Sequence, residues 1–239
     1  SIRKTRNRPA LFRYKGGKTA ANITKKLHWL LPSSIWRLFK MKKIQTAKIT
    51  VMAVFTAIIA VISFLPIRTL GLEITLSMVP VAVGAMTFGP AAGAFLGGVF
   101  GVVSFVQCFG YSTFGVALLG INPFFTFIVC VPTRILAGWL CGLIFKAISK
   151  VDKTRQIGFI VAGIAAPMLN TALFMGTLTL CFYNTEFIRG YVGALGATNP
   201  IMFILLFVGI NAVAEIIAGG VIAYPVAKIF TKAFEKMSR

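Results

Sequence analysis

Several stretches of this chain are continuous in apolar residues over the length an α-helix needs to cross a bilayer, roughly 18–20 residues. The candidate spans are residues 47–65, 74–88, 91–106, 116–148, 157–182 and 200–230. In hydrocarbon every backbone N–H and C=O must be satisfied within the protein, so only helices and closed barrels can span it. A barrel would need short segments of alternating polarity, and this sequence has none. The expectation is an all-α integral membrane protein, a six-transmembrane-helix bundle. Composition agrees where it discriminates. Charged residues make up 13% of the 239, about half the share usual in soluble domains.

A net charge of +20 would point to nucleic acid in a soluble protein. Its distribution argues against that partner. Residues 1–43 carry 13 of the 25 Lys and Arg and no acid, and most other basic residues flank the apolar runs. Such flanks set orientation and attract anionic lipid. Lys42, Lys43 and Lys48, then Lys146, Lys150, Lys153 and Arg155, then Lys228, Lys232, Lys236 and Arg239 fall on one side. The other side has only Arg68 and Arg189. Both termini are therefore expected in the cytoplasm of a multi-pass protein of the cell membrane. Residues 1–40 read as a separate basic extension, either an upstream segment or a stretch not native to the protein, with Met41 as the natural start of a membrane domain over 41–239. Leu27–Lys40 mixes Trp, Leu and basic residues as interfacial segments do. Gly17-Lys18-Thr19 looks like the end of a phosphate loop, but Phe12 stands where the first glycine belongs.

Small residues recur at helical spacing. Ala53 and Ala57 share a face of the first span, where intramolecular packing and docking of a partner both fit. Gly93, Gly97 and Gly101 form a ridge without side chains in the third span, which favours tight internal packing over dimerisation. The four cysteines lie in or beside apolar segments without a CxxC and read as packing residues. His28 is the only histidine, so no His-based catalytic or metal site is expected.

The polar groups inside the spans are more informative. Arg134 lies near the middle of the fourth, Asn170 near the middle of the fifth, and Asn211 and Glu215 sit four apart on one face of the sixth. An arginine at the bilayer centre costs about 2.5–3.5 kcal/mol on insertion scales. Such groups face a cavity or each other rather than lipid. Either Arg134 pairs with Glu215 while the asparagines cap carbonyls, or Arg134 forks onto a solute carboxylate and Asn170, Asn211 and Glu215 read its polar groups. Both can hold in turn. Gln107 and Tyr111, in the segment "QCFGYSTFG", and Asn122, ahead of Pro123, are further candidate contacts. That segment, "PIRTLGLE" and "YNTEFIRGYVGALGATN" are expected to be loops able to cover a site.

With these residues in view, the chain from about Lys42 onward resembles the S components of energy-coupling factor (ECF) transporters, membrane proteins that capture vitamins. The likeness rests on "AVFTA", "LSMVPVAVGAMTFGPAAGAFLGGVFGVVSF", "PTRILAG", "LNTALFMG" and "NAVAEIIAG", spread over about four-fifths of the chain. The resemblance implies a six-helix substrate-binding domain that takes its vitamin from outside, under the loop between spans one and two. It implies that Ala53 and Ala57 dock a shared transmembrane coupling subunit. Two ATPase subunits would use ATP and Mg, and this chain would bind no cofactor and catalyse nothing itself. Arg134 favours an acidic vitamin, pantothenate first. Folate, a pyridoxine- or pyrimidine-type vitamin, and a stand-alone secondary transporter are the alternatives. An internal repeat that would favour a secondary transporter is not evident, and the spans lack the groups an intramembrane enzyme needs.

Overall fold

The computed structural model describes residues 33–64, 68–69, 72–73, 76–152 and 156–238, with side chains for 45–64, 76–152, 156–209, 217 and 221–236. The chain divides into two units, Ser1–Gln45 and Thr46–Arg239. Of the first, only the helical stretch from residue 33 is described. Among its described residues, the second unit is helical apart from short turns and one minimal hairpin.

Helix α1 (Ser33–Ser63) ends just before the Leu65-Pro66 step. Strands β1 (Arg68–Thr69) and β2 (Leu72–Glu73) then pair antiparallel, Arg68 opposite Glu73. Helices α2 (Met78–Phe88) and α3 (Pro90–Gln107) meet at Gly89. The positive φ of Gly89, 94°, is open to glycine at little cost, and its N–H still bonds to the Ala85 carbonyl. Pro90 then starts α3 at a position where a missing N–H costs nothing.

The apolar run 116–148 is not one helix. It divides into α4 (Thr113–Ile121) and α5 (Pro123–Val151) at Asn122. Pro123 disfavours the helical conformation for the residue before it, and Asn122 is extended, φ −155°. Its Oδ1 accepts hydrogen bonds from the N–H groups of Phe124 and Phe125 at 3.1 and 3.2 Å, capping α5. Asp152 does the same at the next junction, accepting from Ile157 N–H at 2.8 Å at the start of α6 (Gln156–Phe182). The segment 183–199 is not wholly loop. Thr185 caps α7 (Glu186–Ala194), whose Ile188 is fully buried and whose Phe187 and Tyr191 rings lie on Phe114. Residues 200–230 form α8 (Pro200–Ala218), a π-helical turn (Gly219–Ala223) and the start of α9 (Tyr224–Ser238).

Among the described residues, four stretches are long and apolar enough to cross a membrane: Gln45–Ser63 of α1, and α3, α5 and α6. Met78–Phe88 and Pro200–Gly209 are shorter apolar helices. Helices α3 and α5 run backbone to backbone. A Cβ on Gly93 would collide with the Gly138 carbonyl, and one on Gly97 with the Arg134 carbonyl. One on Gly101 would lie 2.8 Å from Val131 Cα, and one on Gly142 2.6 Å from Pro90 Cα. The glycine ridge is thus consumed by internal packing.

Among the described residues, two large apolar clusters and a small third one around Cys108, Cys130 and Val131 fill the interior. Of the large ones, one joins Phe55, Ile59, Leu96, Phe100, Ala137 and Phe145 with Phe159 and Ala166. The other joins Phe114, Leu118, Val129, Met175, Phe182 and Phe203. Helices α5 and α6 contribute to both.

Candidate functional site

Arg134 lies on α5 between Val129, in one cluster, and Ala137, in the other. The closeness of α3 at Gly97 determines its surroundings. Its guanidinium carbon is 5.1 Å from the centre of the Phe100 ring on α3 and 4.5 Å from that of Phe174 on α6. Phe100 belongs to the first cluster and Phe174 packs against the second. The cation therefore sits at the seam between two hydrophobic bodies, 6% exposed. Each ring face attracts it, by about 2 kcal/mol or more when desolvated.

The local backbone explains how the charge is held. Pro132 has no N–H, so it cannot make the helical bond back to the Ile128 carbonyl. Side chains next to it turn back onto the same stretch. Thr133 Oγ donates to the Val129 carbonyl, and Arg134 Nη1 donates to the carbonyls of Val129 and Cys130, both at 3.0 Å. A helical side chain leans toward the N-terminus of its helix, which is the direction this contact requires.

Asn170 is on α6, one turn before Phe174 and so on the same face. It too lies at the seam, between Ala166 of one cluster and Met175 of the other. It is buried, and its Oδ1 accepts no hydrogen bond in the described structure. A buried acceptor left empty costs about 1–3 kcal/mol. That is the expected state of a group whose partner is a solute.

The other candidates gather elsewhere. Gln107 is buried at the end of α3, where its Nε2 donates to the Ser63 carbonyl at the end of α1. Ser63 and Ser77 share a hydroxyl hydrogen bond of 2.9 Å beside it. Tyr111 is exposed, and its ring meets Phe64 edge-on at 5.3 Å. Gln107 and Tyr111 thus converge on the end of α1, and Asn122 serves as a helix cap. Asn211 and Glu215 are on α8, but their side chains lie outside the described residues. Ala53 and Ala57 are both exposed on α1, on a flank that also shows Val54, Ile58 and Val61. Sequence reasoning missed Phe100, Phe174 and Thr133. The only available signals were that Phe174 lies four residues past Asn170 and that Thr133 directly follows an intrahelical proline.

The family model of the ECF transporter substrate-specific component matches residues 47–227. This chain belongs to that family. As an S component it is a transport subunit of the membrane, and membership implies association with the energy-coupling subunits of an ECF transporter. It is 29% identical over 186 residues to the pantothenic acid transporter PanT of Lactococcus lactis subsp. cremoris, covering 70% of this chain and 91% of the relative. It is 25% identical over 171 residues to the pantothenate transporter PanT of Leuconostoc mesenteroides, covering 70% of this chain and 79% of that one.

Proposed function

We propose that this S component captures pantothenate from outside the cell and delivers it to an ATP-driven ECF importer. The observation that carries the reading is the guanidinium of Arg134, buried at the seam of two apolar clusters between two aromatic rings. A desolvated cation favours an anion, and its planar fork holds a carboxylate in bidentate fashion while other N–H groups stay on backbone carbonyls. The open acceptor of Asn170 suits a hydroxyl or amide N–H of the same solute. Asn211 and Glu215, one turn apart on α8, complete the set, and Glu215 balances Arg134 when the site is empty. The two relatives named for pantothenate support that vitamin over folate or a pyridoxine-type ligand.

Six crossings, α1, α2, α3, α5, α6 and α8–α9, with both termini in the cytoplasm, agree with the basic flanks. In that arrangement the β1–β2 hairpin, Gln107 and Tyr111 lie outside and cover the entrance. Ala53 and Ala57 present a lateral face for the transmembrane coupling subunit. Two partner ATPases bind and hydrolyse ATP with Mg to supply the energy, and this chain binds neither.

The test is calorimetric titration of the purified protein with pantothenate, folate, pyridoxine and thiamine, beside Arg134→Ala. Tight binding of pantothenate alone, lost in a folded Arg134→Ala, supports the reading. Equal binding by both proteins would make the arginine structural. A stand-alone porter is separated by reconstitution, since an S component accumulates no solute without its energising module.

A further inference from the structure

The sequence treats the four cysteines alike, but the fold separates two of them. Cys108, at the end of α3, and Cys130, on α5, are 22 residues apart, and their sulfurs lie 4.0 Å from each other. Both are buried thiols. Their neighbours make room for them. A Cβ on Gly115 would stand 2.7 Å from Cys108 Sγ, so only glycine at the start of α4 lets that sulfur sit there. Phe105 and Leu119 enclose the pair on its apolar side. Above it, the turn through Phe109, Gly110 and Tyr111 is exposed. The other two cysteines have no such arrangement. Cys141 is directed at the Ala162 carbonyl at 3.5 Å, and Cys181 is only partly buried on α6.

We propose that Cys108 and Cys130 form a redox-active dithiol that closes to an intramolecular disulfide and ties the α3–α4 turn to α5 behind the Arg134 site. A disulfide requires a sulfur separation of about 2 Å, so closure means drawing the two sulfurs together from 4.0 Å by turning both side chains about χ1. Each thiol gives up one proton and one electron as the S–S bond forms. The acceptor is a small uncharged azodicarboxamide oxidant, whose N=N bond becomes a hydrazine by taking up both protons and both electrons. The link would act on the ligand site because the Cys130 carbonyl is one of the two that hold Arg134 Nη1. In the proposed topology this end of α3 faces the oxidising side of the membrane, where disulfides persist. The thiol chemistry itself does not depend on that topology or on the vitamin.

The full chain, purified reduced, is treated with diamide, quenched, unfolded in detergent and counted for thiols with a maleimide. Peptide mass spectrometry then locates any link. The expected result is a fall from four reactive thiols to two, independent of protein concentration, with a Cys108–Cys130 cross-linked peptide. The fall persists in Cys141→Ser/Cys181→Ser, where two thiols drop to none, and disappears in Cys108→Ser. Four thiols surviving in the wild type, a link that involves Cys141 or Cys181, or a dimer joined between chains would each overturn the proposal. The wild-type count decides the matter even where a variant fails to fold.

Discussion

The energetics of the candidate site turn on two side chains with opposite needs. Arg134 has its charge shared among two carbonyls and two ring faces. Truncating one partner of a buried charged contact costs about 2–5 kcal/mol. Arg134→Ala should weaken pantothenate binding by at least tenfold in calorimetry. Arg134→Lys should not restore it, because a point-like ammonium lacks the fork. Asn170 is the reverse case, a buried polar group whose Oδ1 accepts nothing in the described structure. Asn170→Leu removes that acceptor while keeping similar volume. The empty protein should unfold at an equal or higher temperature, by up to about 1–3 kcal/mol of relieved desolvation, while binding weakens. A fall in both melting temperature and affinity would make Asn170 structural.

Among the elements, the α3–α5 pair determines where Arg134 stands. Its closeness depends on glycines at places where a methyl group would strike backbone rather than a flexible side chain. Gly97→Ala should therefore destabilise by more than the 1–3 kcal/mol usual for overpacking, and it should disturb the ligand site, since its Cβ would press on the Arg134 carbonyl. Gly98→Ala, one position along the same helix, would meet only the Ile135 side chain at 3.4 Å. It should be neutral or slightly stabilising, because alanine is a better helix former by about 0.8–1.0 kcal/mol. Thermal unfolding of the two variants in one detergent checks the contrast. If both unfold alike, the close approach of α3 and α5 is not what holds this region.

At the scale of the whole molecule, the lateral face of α1 is the surface proposed above to meet the coupling subunit. Ala53 and Ala57 are exposed and contribute nothing to the interior. Ala53→Leu/Ala57→Leu should leave folding and vitamin binding unchanged within a few tenths of a kcal/mol, as surface changes usually do. If that face docks the coupling subunit, the added bulk keeps the helices apart and reconstituted ATP-dependent uptake should fall by at least tenfold. Uptake at the wild-type rate would move the docking surface to another face.

The apolar helices, their basic flanks and the stopping point at Gly89-Pro90 were legible in the residues, because they follow from local rules; the break at Asn122-Pro123 was read through, since the apolar run 116–148 continues across it. Hydrocarbon demands apolar helices, proline restricts its predecessor, and a glycine ridge invites close packing. The cost of an arginine in a span likewise singled out Arg134 without any coordinates. Local rules did not reveal α7, whose single buried Ile188 makes sense only against the Phe114 cluster. Nor did they reveal the surroundings of the guanidinium. Phe100 is 34 positions before Arg134 and Phe174 is 40 after it. Nothing in either segment signals the other, because rings and cation meet only when α3, α5 and α6 pack. The sequence determined that a charge would be buried. The tertiary structure decided what surrounds it, since packing alone brings groups from distant helices within a few ångströms.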